Sequence, residues 1–228
     1  MDGNNRWAKQ NGLRTKDGHR RGAEACRQLI LDCIDLGIPY LSLFAFSSEN
    51  WLRSKSEVRS LMALFRLMIS HDEVADLHRA GTKIRFIGNR TNFSKILQVG
   101  MREIEERTSG NEAITVTVAV DYGGQWDIAQ AVLECIRQRG KSGEARAISD
   151  LGVSEVIDVL TNHLSTSDLP DPDLCIRSAG EQRLSNFLLW QFAYTELYFS
   201  DTYWPDFSRK ELESALAFYA SRSRKFGK

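Results

Sequence analysis

Apolar and polar residues alternate along the chain with two different periods, one typical of helices and one typical of buried strands. Apolar residues recur at helical spacing in six segments, which predicts amphipathic helices at 22–36, 57–77, 94–107, 127–139, 154–164 and 210–221. Short runs rich in β-branched and aromatic residues predict strands at 40–46, 83–87, 114–120, 174–177 and 197–199. Polar stretches at 48–56 and 140–149 predict flexible loops.

The order of these elements predicts the fold class. Strands that alternate with helices of ten or more residues pair in parallel through right-handed crossovers. The sequence therefore predicts an α/β fold in which a mainly parallel β-sheet is flanked by helices. The composition is 42% hydrophobic, which is enough for a substantial core, and no repeat or low-complexity tract divides the chain. We expect a single domain over residues 1–228.

The charge balance limits the classes of partner. Thirty basic residues offset thirty acidic residues, so no global field draws the chain to nucleic acid or to an anionic membrane. The longest apolar runs, at 40–46 and 187–189, are far shorter than the roughly 18 residues that span a bilayer. We therefore expect a soluble protein without a nucleic-acid partner, and any anion-binding site must be local.

The cysteines indicate the redox setting. No C-x-x-C pair and no histidine at zinc-finger spacing accompanies Cys26, Cys33, Cys135 or Cys175. Cys26 and Cys33 share one apolar helical face, and we interpret all four cysteines as reduced core residues. Reduced cysteines, together with the absence of a leader before Met1, predict a cytoplasmic protein.

The residues that follow the predicted strands include candidates for anion binding. Ligands of open α/β sheets collect beyond the carboxyl ends of the strands. Arg177, Arg183 and Ser185 follow the strand at 174–177. A guanidinium binds phosphate oxygens with two hydrogen bonds, and small residues let backbone N–H groups approach an anion closely. The segment is typical of a phosphate cradle, although an ordinary solvated loop is the alternative interpretation.

The start of the chain is a second polar cluster. Asp2 offers a hard oxygen ligand for Mg²⁺, and the backbone N–H groups from Gly3 to Arg6 could hold a diphosphate. By composition alone this segment is only a turn. The motifs G-x4-G-K-[ST], G-x-G-x-x-G and H-E-x-x-H are missing. An Asp-Asp-x-x-Asp motif is also missing, which argues against prenyltransferases that ionise allylic diphosphates with aspartate-rich helices.

Longer motifs resemble one family closely. They are Met1-Asp2-Gly3-Asn4, Gly18-His19-Arg20, the run from Phe46 to Arg53, Tyr122-Gly123-Gly124, the run from Arg177 to Gln191, Tyr198-Phe199 and Trp204-Pro205-Asp206-Phe207. In this order they are similar to the cis-prenyltransferases, specifically the undecaprenyl diphosphate synthase branch, over nearly the whole chain. The resemblance implies a Mg²⁺-dependent transferase that condenses isopentenyl diphosphate with an allylic diphosphate, here farnesyl diphosphate. The implied product is undecaprenyl diphosphate, used for the cell-wall lipid carrier.

The resemblance also assigns roles to individual residues. Asp2 matches a metal ligand that assists departure of the allylic diphosphate, and Glu196 matches a second carboxylate at the metal. The pocket for the allylic diphosphate matches Gly3, Asn4, Asn5, Arg6 and His19, with Trp7 beside the allylic chain. The isopentenyl diphosphate site matches Arg177, Arg183, Leu184 and Ser185. A flexible catalytic loop, in which Asn50 assists proton removal, matches Ser47, Ser48, Glu49, Asn50, Trp51 and Arg53.

An apolar product needs a dry channel. Residues at helical spacing on one predicted helix, with two on the preceding strand, predict an apolar tunnel lined by Leu61, Leu64, Phe65, Met68, Phe44 and Phe46. A plain core between helix and sheet explains this pattern equally well. Membrane contact is expected only at the periphery, through the lipid product.

The chain also departs from the family pattern. The family usually has a strand ending in Ile-Ile directly before Met-Asp-Gly-Asn, so we expect that a central N-terminal strand is missing. Thr15, Ala179 and Lys225 replace residues that are common in the family, yet none removes a catalytic group. The product length and the preferred primer therefore stay open.

Two other functions remain as alternatives. A short-chain relative would use the same chemistry, although the small Ala45 near the expected tunnel floor favours a longer product. A non-catalytic partner subunit is disfavoured because Asp2 and Asn50 are retained, as are both arginines of the cradle. We also expect a homodimer, from the family pattern and from an apolar patch of Phe187, Leu188, Leu189, Trp190, Phe192, Tyr194, Leu197 and Phe199.

Overall fold

The computed structural model describes residues 1–69, 71–141 and 151–223. The α-helices in these residues are α1 Asn4–Gln10, α2 Thr15–Asp35, α3 Lys55–Met68, α4 His71–Arg79, α5 Lys95–Thr108, α6 Gly124–Lys141, α7 Val153–Thr161 and α8 Arg209–Ala220. The strands are β1 Tyr40–Ser47, β2 Thr82–Ile87, β3 Ile114–Tyr122, β4 Leu174–Arg177 and β5 Glu196–Phe199. Short 3₁₀ helices include Ser48–Leu52 and Gln191–Tyr194.

The strands form two parallel groups. One sheet has the order β1-β3-β2, with Tyr40 opposite Thr115, and in the other β4 pairs with β5, with Leu174 opposite Glu196. Within the described part of the chain, β1 pairs only with β3 and β4 pairs only with β5, so each keeps one edge without a neighbouring strand. The predicted α/β fold, with parallel strands flanked by helices, is confirmed.

The helix α2 begins at Thr15, earlier than the predicted start at residue 22. Gly18 hid this start in the sequence because glycine lowers helix propensity. An added Cβ would lie 2.2 Å from the carbonyl oxygen of Asn4 at Gly18 and 2.1 Å from Asn4 Oδ1 at Gly22. The two glycines therefore let α1, which the sequence predicted as a turn, pack directly on α2.

The predicted helix 57–77 is two helices, α3 and α4, with Ser70 outside the described residues. Both contribute to one core cluster, in which Phe65 of α3 and Val74 of α4 pack with Phe86 of β2. The other predicted helices and strands are confirmed with small shifts at their ends. The predicted loop at 140–149 lies outside the described residues from 142 onward, and the predicted loop at 48–56 contains a 3₁₀ helix and the start of α3.

The cysteines are free, as predicted. Cys26, Cys33 and Cys135 are buried and Cys175 is partly buried. Burial, the largest cause in both, raises the pKa of Cys26 and of Cys33 to about 12. These thiols therefore stay protonated and behave as apolar core groups.

Part of the predicted dimer patch is core instead of surface. Leu188 and Phe192 are buried and pack with Tyr122, so they do not contribute to an exposed patch. Tyr194, by contrast, is 75% exposed, and Leu197 and Phe199 are each more than a third exposed. Across the described ranges, we find no helix with the length and apolar character needed to cross a membrane.

Candidate active site

The first residues of the chain lie against the segment that follows β4. The Asp2 backbone N–H donates to Ser178 Oγ at 2.9 Å, and the Asp2 carbonyl accepts from the Trp204 N–H at 2.9 Å. The Gly3 φ of 93° is in the left-handed region, and an added Cβ would lie 2.6 Å from the Tyr203 ring. Only glycine fits this turn, which brings the two polar clusters of the sequence into one place.

Arg177 is the central side chain of this contact. Its guanidinium donates from Nε to Asp2 Oδ2 at 3.0 Å and from Nη1 to Ser185 Oγ at 2.9 Å, and it also donates to the Arg183 carbonyl. The side chain is only 13% exposed. Arg177 therefore holds the start of the chain and the 183–185 loop together while its charge stays at the wall of the cavity.

Glu181 links the two other arginines of the site. It forms ion pairs with Arg183 and, at 2.7 Å, with Arg6. The hydrogen bond from Arg183, with a smaller contribution from Arg6, holds the pKa of Glu181 below its ordinary value. The Arg6 guanidinium also lies 5.4 Å from the centre of the Tyr203 ring. A diphosphate could replace the Glu181 carboxylate between these two guanidinium groups.

Arg53 adds positive charge to the site, and this charge acts on the neighbouring His19. Burial, followed by the charge of Arg53, lowers the pKa of His19 below its ordinary value. Both side chains line the same cavity as Asp2 and Arg177. Asn5 lines this cavity as well, and its Oδ1 accepts from Thr15 Oγ1 at 2.8 Å. The side chains predicted to hold an allylic diphosphate therefore face the same space.

The predicted catalytic loop begins with a local turn. The Ser47 N–H donates to Asn50 Oδ1 at 3.1 Å, which fixes the Asn50 amide at the end of β1. Glu49 accepts from Asn186 Nδ2 at 2.8 Å. Trp51 points away from this polar region and packs on Phe46, with 4.9 Å between the ring centroids. The loop is thus fixed by an apolar anchor on one side and by polar contacts on the other.

The cavity at the polar cluster has a volume of about 1420 Å³. Its apolar wall includes Leu61, Phe65, Phe44 and Phe46, all of which the sequence predicted as tunnel residues. The side chains of Leu64 and Met68, predicted with them, lie outside the described part. The cavity extends from charged groups at the strand ends to apolar side chains between α3 and the sheet, which suits an amphipathic ligand.

Some predicted site residues lie elsewhere. Trp7, Ser48 and Trp51 are not among the residues that line the cavity.

Glu196 lies at the far end of the β4–β5 pair from Arg177. It is opposite Leu174, the first residue of β4, and Leu174 is three positions before Arg177. The Glu196 carboxylate pairs with Arg222 at 3.1 Å. At about 3.3 Å per residue, Glu196 is roughly 10 Å along the strands from the Arg177 level. One chain therefore does not bring Glu196 to Asp2.

Asp2 can serve as a metal ligand only together with other donors. In the residues that the structure describes, no group of three or more His, Cys, Asp or Glu side chains could hold a metal ion. The Asp2 side chain is 38% exposed at the cavity. Mg²⁺ is commonly held by one or two protein carboxylates plus substrate phosphates, and this donor set fits that pattern.

The sequence analysis missed Glu181 and Asn186 as site residues. Both lie inside the motif from Arg177 to Gln191, but an acidic residue and an amide among arginines gave no separate signal. The position of Glu181 between Arg177 and Arg183 in the sequence is the signal that could have identified it. Asn186 could not have been identified, because its partners at Glu49 and Gln125 are distant in sequence.

Comparison with known proteins identifies relatives over the whole chain. The family model described as "Putative undecaprenyl diphosphate synthase" matches residues 1–227. A Pseudomonas aeruginosa protein named ditrans,polycis-undecaprenyl-diphosphate synthase, (2E,6E)-farnesyl-diphosphate specific, is 49% identical over 228 residues. That match covers 100% of this chain and 88% of the relative.

Solved structures give the same result. Lavandulyl diphosphate synthase from Lavandula x intermedia, crystallised with dimethylallyl diphosphate, has a TM-score of 0.90 and 35% identity, covering 100% of this chain and 95% of that one. A probable undecaprenyl diphosphate synthase from Campylobacter jejuni has a TM-score of 0.76 and 30% identity, covering 92% and 93%. The match to the first of these structures covers the whole chain and so includes the residues that line the cavity.

Proposed function

The chain belongs to the undecaprenyl diphosphate synthase family and is therefore a cis-prenyltransferase, and on that premise we propose its substrates and product. It condenses isopentenyl diphosphate with farnesyl diphosphate and makes undecaprenyl diphosphate, which supplies the cell-wall lipid carrier. The observation that carries this proposal is a cavity that has guanidinium groups at its polar end and apolar side chains of α3 and β1 along its wall.

We propose that the two diphosphates occupy the two sides of the polar end. Arg177, Arg183 and Ser185 hold isopentenyl diphosphate, with Leu184 beside it. The backbone N–H groups of Gly3, Asn4 and Asn5, together with Arg6 and His19, hold the allylic diphosphate. Charged hydrogen bonds from fixed donors stabilise the negative charge that develops on the leaving diphosphate. The hydrocarbon of the allylic substrate then enters the apolar part of the cavity.

Mg²⁺ fits the proposed site. Asp2 would hold the ion together with phosphate oxygens of the substrate, and the ion would supply charge neutralisation for the departing diphosphate. Asp2 already accepts a hydrogen bond from Arg177, so this arginine orients the carboxylate before any substrate binds. Glu196 stays a prediction for the metal, because one chain keeps it at the other end of β4.

The proposed reaction forms one carbon–carbon bond. The allylic carbon loses its diphosphate, and the terminal alkene carbon (C4) of isopentenyl diphosphate bonds to it. A proton then leaves C2, and the new double bond forms between C2 and C3. Asn50 assists removal of that proton, which passes to a diphosphate oxygen. The loop at 48–56 closes over the substrates and excludes water, with Arg53 reaching the diphosphates. The new double bond has the cis configuration.

A shorter product is the second candidate. The structural similarity to lavandulyl diphosphate synthase, which was crystallised with a five-carbon diphosphate, favours it, whereas the curated relatives favour the long product. Ala45 lines the cavity and leaves space at its apolar end. Incubation with labelled isopentenyl diphosphate, farnesyl diphosphate and Mg²⁺, followed by sizing of the products, decides between them. Products that stop after one or two additions would overturn the undecaprenyl proposal.

We propose that the protein is a homodimer in a cytoplasmic setting. Tyr194, Leu197 and Phe199 expose apolar surface on and beside β5, which has no strand on its outer edge within the described residues. Contact between two copies would cover this surface. Light scattering at micromolar concentration measures the mass, and a monomer would contradict the proposal.

We propose that an extended segment before Met1 completes the sheet. Within the described residues, one edge of β1 and one edge of β4 have no neighbouring strand. Both strands line the same cavity, with Leu41 and Leu43 on one side and Cys175 and Ile176 on the other. The P. aeruginosa relative has further residues outside the match, which covers 88% of it.

Two fusions test the missing strand. Six valine and isoleucine residues placed directly before Met1 should raise the melting temperature by about 5 °C or more, because they bury apolar surface and pair two strand edges. Six glycine and serine residues at the same place are the matched control. Equal melting temperatures for the two fusions would contradict the proposal.

A further inference from the structure

Asn186 lies where three separate segments meet. Its carbonyl accepts from the Gly124 N–H at 2.6 Å, and its side-chain Oδ1 accepts from the Gln125 N–H at 2.9 Å. Its Nδ2 donates to Glu49 Oε1 at 2.8 Å. The residue therefore joins its own loop to the turn after β3 and to the loop after β1.

The backbone of Asn186 suits this position. Its φ of 63° is in the left-handed region, which asparagine tolerates better than most residues. The preceding Ser185 accepts from Arg177, so the phosphate cradle and the Asn186 amide are neighbours in one short loop.

The turn after β3 is shaped around the contact. An added Cβ at Gly123 would lie 2.5 Å from Asn186 Nδ2 and 2.9 Å from Ser48 Oγ. The absence of a side chain there lets the 48–52 segment and the 183–188 loop approach each other. The orientation of the Asn186 amide is also determined, because the Gln125 N–H requires an oxygen and the Glu49 carboxylate requires a donor.

The state of Glu49 agrees with this geometry. Partial burial acts to raise the pKa of Glu49, but hydrogen bonds, first from Asn186 and then from its own backbone N–H, Ser47 and Ser48, hold the pKa below its ordinary value. Glu49 is therefore a charged acceptor at neutral pH. A neutral amide donor to a carboxylate is a stronger contact than an exposed pair of neutral groups.

We propose that Asn186 is a positioning residue that fastens the Glu49 loop to the phosphate cradle. Through its hydrogen bond to Glu49, it sets the position of the neighbouring Asn50 and of Arg53 relative to the diphosphates. This role rests on the proposed cis-prenyltransferase reaction, in which Asn50 acts beside the diphosphates. The contact chain runs from Asp2 through Arg177 and Ser185 to Asn186 and Glu49.

Reversing the polarity of the contact is the sharpest test. In Asn186→Asp two carboxylates face each other, whereas the residue still tolerates the left-handed φ and still accepts from Gln125. In the double variant Asn186→Asp with Glu49→Gln, the glutamine amide donates to the aspartate and restores the contact. We expect Asn186→Asp to lower kcat about tenfold with little change in KM, and the double variant to return to within about twofold of Glu49→Gln alone.

Hydrogen exchange gives a readout that does not depend on turnover. Amides of residues 48–53 should exchange about fivefold to tenfold faster in Asn186→Asp and in Asn186→Gly, which removes the side chain without backbone strain. Asn111→Asp is the matched control, because Asn111 also donates a partly buried side-chain hydrogen bond, to the Thr82 carbonyl at 2.7 Å, but lies outside the site. It should change stability without changing kcat or exchange at 48–53.

The outcomes separate this inference from the proposed function. Unchanged hydrogen exchange at residues 48–53 in both Asn186 variants overturns the positioning role. A double variant whose fold loss of kcat equals the product of the fold losses in the two single variants also overturns it. A wild-type chain that exchanges as expected but makes no polyprenyl diphosphate contradicts the proposed function and leaves the contact in place.

Discussion

Replacing Arg183 with alanine tests whether the two arginines after β4 have different roles. The Arg183 side chain is 61% exposed and pairs with Glu181. Arg177 is 13% exposed and donates to Asp2, to Ser185 and to the Arg183 carbonyl. We therefore expect Arg183→Ala to change ligand binding alone, and Arg177→Ala to change both binding and folding stability.

The expected magnitudes follow from these contacts. An exposed ion pair contributes about 0–1 kcal/mol, so Arg183→Ala should lower the free energy of unfolding by at most about 1 kcal/mol. Loss of a hydrogen bond to a charged phosphate costs roughly 1.5–3 kcal/mol, which is roughly a tenfold to hundredfold rise in the dissociation constant of isopentenyl diphosphate. Arg177→Ala leaves a carboxylate and a carbonyl without their donor and should cost about 2 kcal/mol of stability as well.

Calorimetric titration and urea unfolding measure the two effects separately. Isopentenyl diphosphate and farnesyl diphosphate are titrated in separate experiments into each variant. Arg79→Ala is the matched control, because Arg79 is 76% exposed, pairs with Asp76 and lies outside the site. A larger loss for farnesyl diphosphate than for isopentenyl diphosphate would show that the two subsites are exchanged, and unchanged affinity for both would refute the cradle assignment.

Three further predictions concern the metal, the start of the chain and pH. Asp2→Asn should abolish Mg²⁺-dependent turnover with a melting temperature within a few degrees of wild type, and retained turnover at saturating Mg²⁺ would exclude the metal role. Gly22→Ala should destabilise the fold by about 2 kcal/mol because its Cβ would lie 2.1 Å from Asn4 Oδ1. Gly110→Ala is the control, because no atom of the described residues lies within 4 Å of its added Cβ, and it should be nearly neutral in urea unfolding. The folded-state pKa of His19 is lowered, so the unfolded state takes up the proton first as pH falls below about 6.5. Wild type should therefore lose stability relative to His19→Gln on acidification, and parallel pH curves would refute this.

Local patterns in the sequence predicted the regular elements well. The strand β4 has its predicted bounds because a short apolar run sits between prolines and a polar loop. Prediction failed where a tertiary contact decides the local structure. The start of α2 was missed because Gly18 lowers helix propensity, and only the packing of Asn4 against Gly18 and Gly22 explains these two glycines.

The candidate site was predictable in its charges but not in its connections. Arginines after a strand and a carboxylate in a glycine turn indicate anion and metal chemistry by residue type. Which of them touch cannot be read from a single sequence, because the Arg177 contact with Asp2 joins positions 175 residues apart. The resemblance supplied roles such as that of Glu196, yet the strand register places this residue away from Asp2 in one chain.

The contacts of Arg177 and Asn186 explain why the site depends on the whole fold. Residues 2–6 pack against 178–181 and 203–204, and the loop after β1 is held by Asn186. The two proposed diphosphate subsites therefore come from opposite ends of the chain, and these contacts bring them together. Closing such a long loop costs conformational entropy that only the completed core can offset. Variants that loosen the contact between α1 and α2, such as Gly22→Ala, should therefore weaken diphosphate binding even though they touch no ligand.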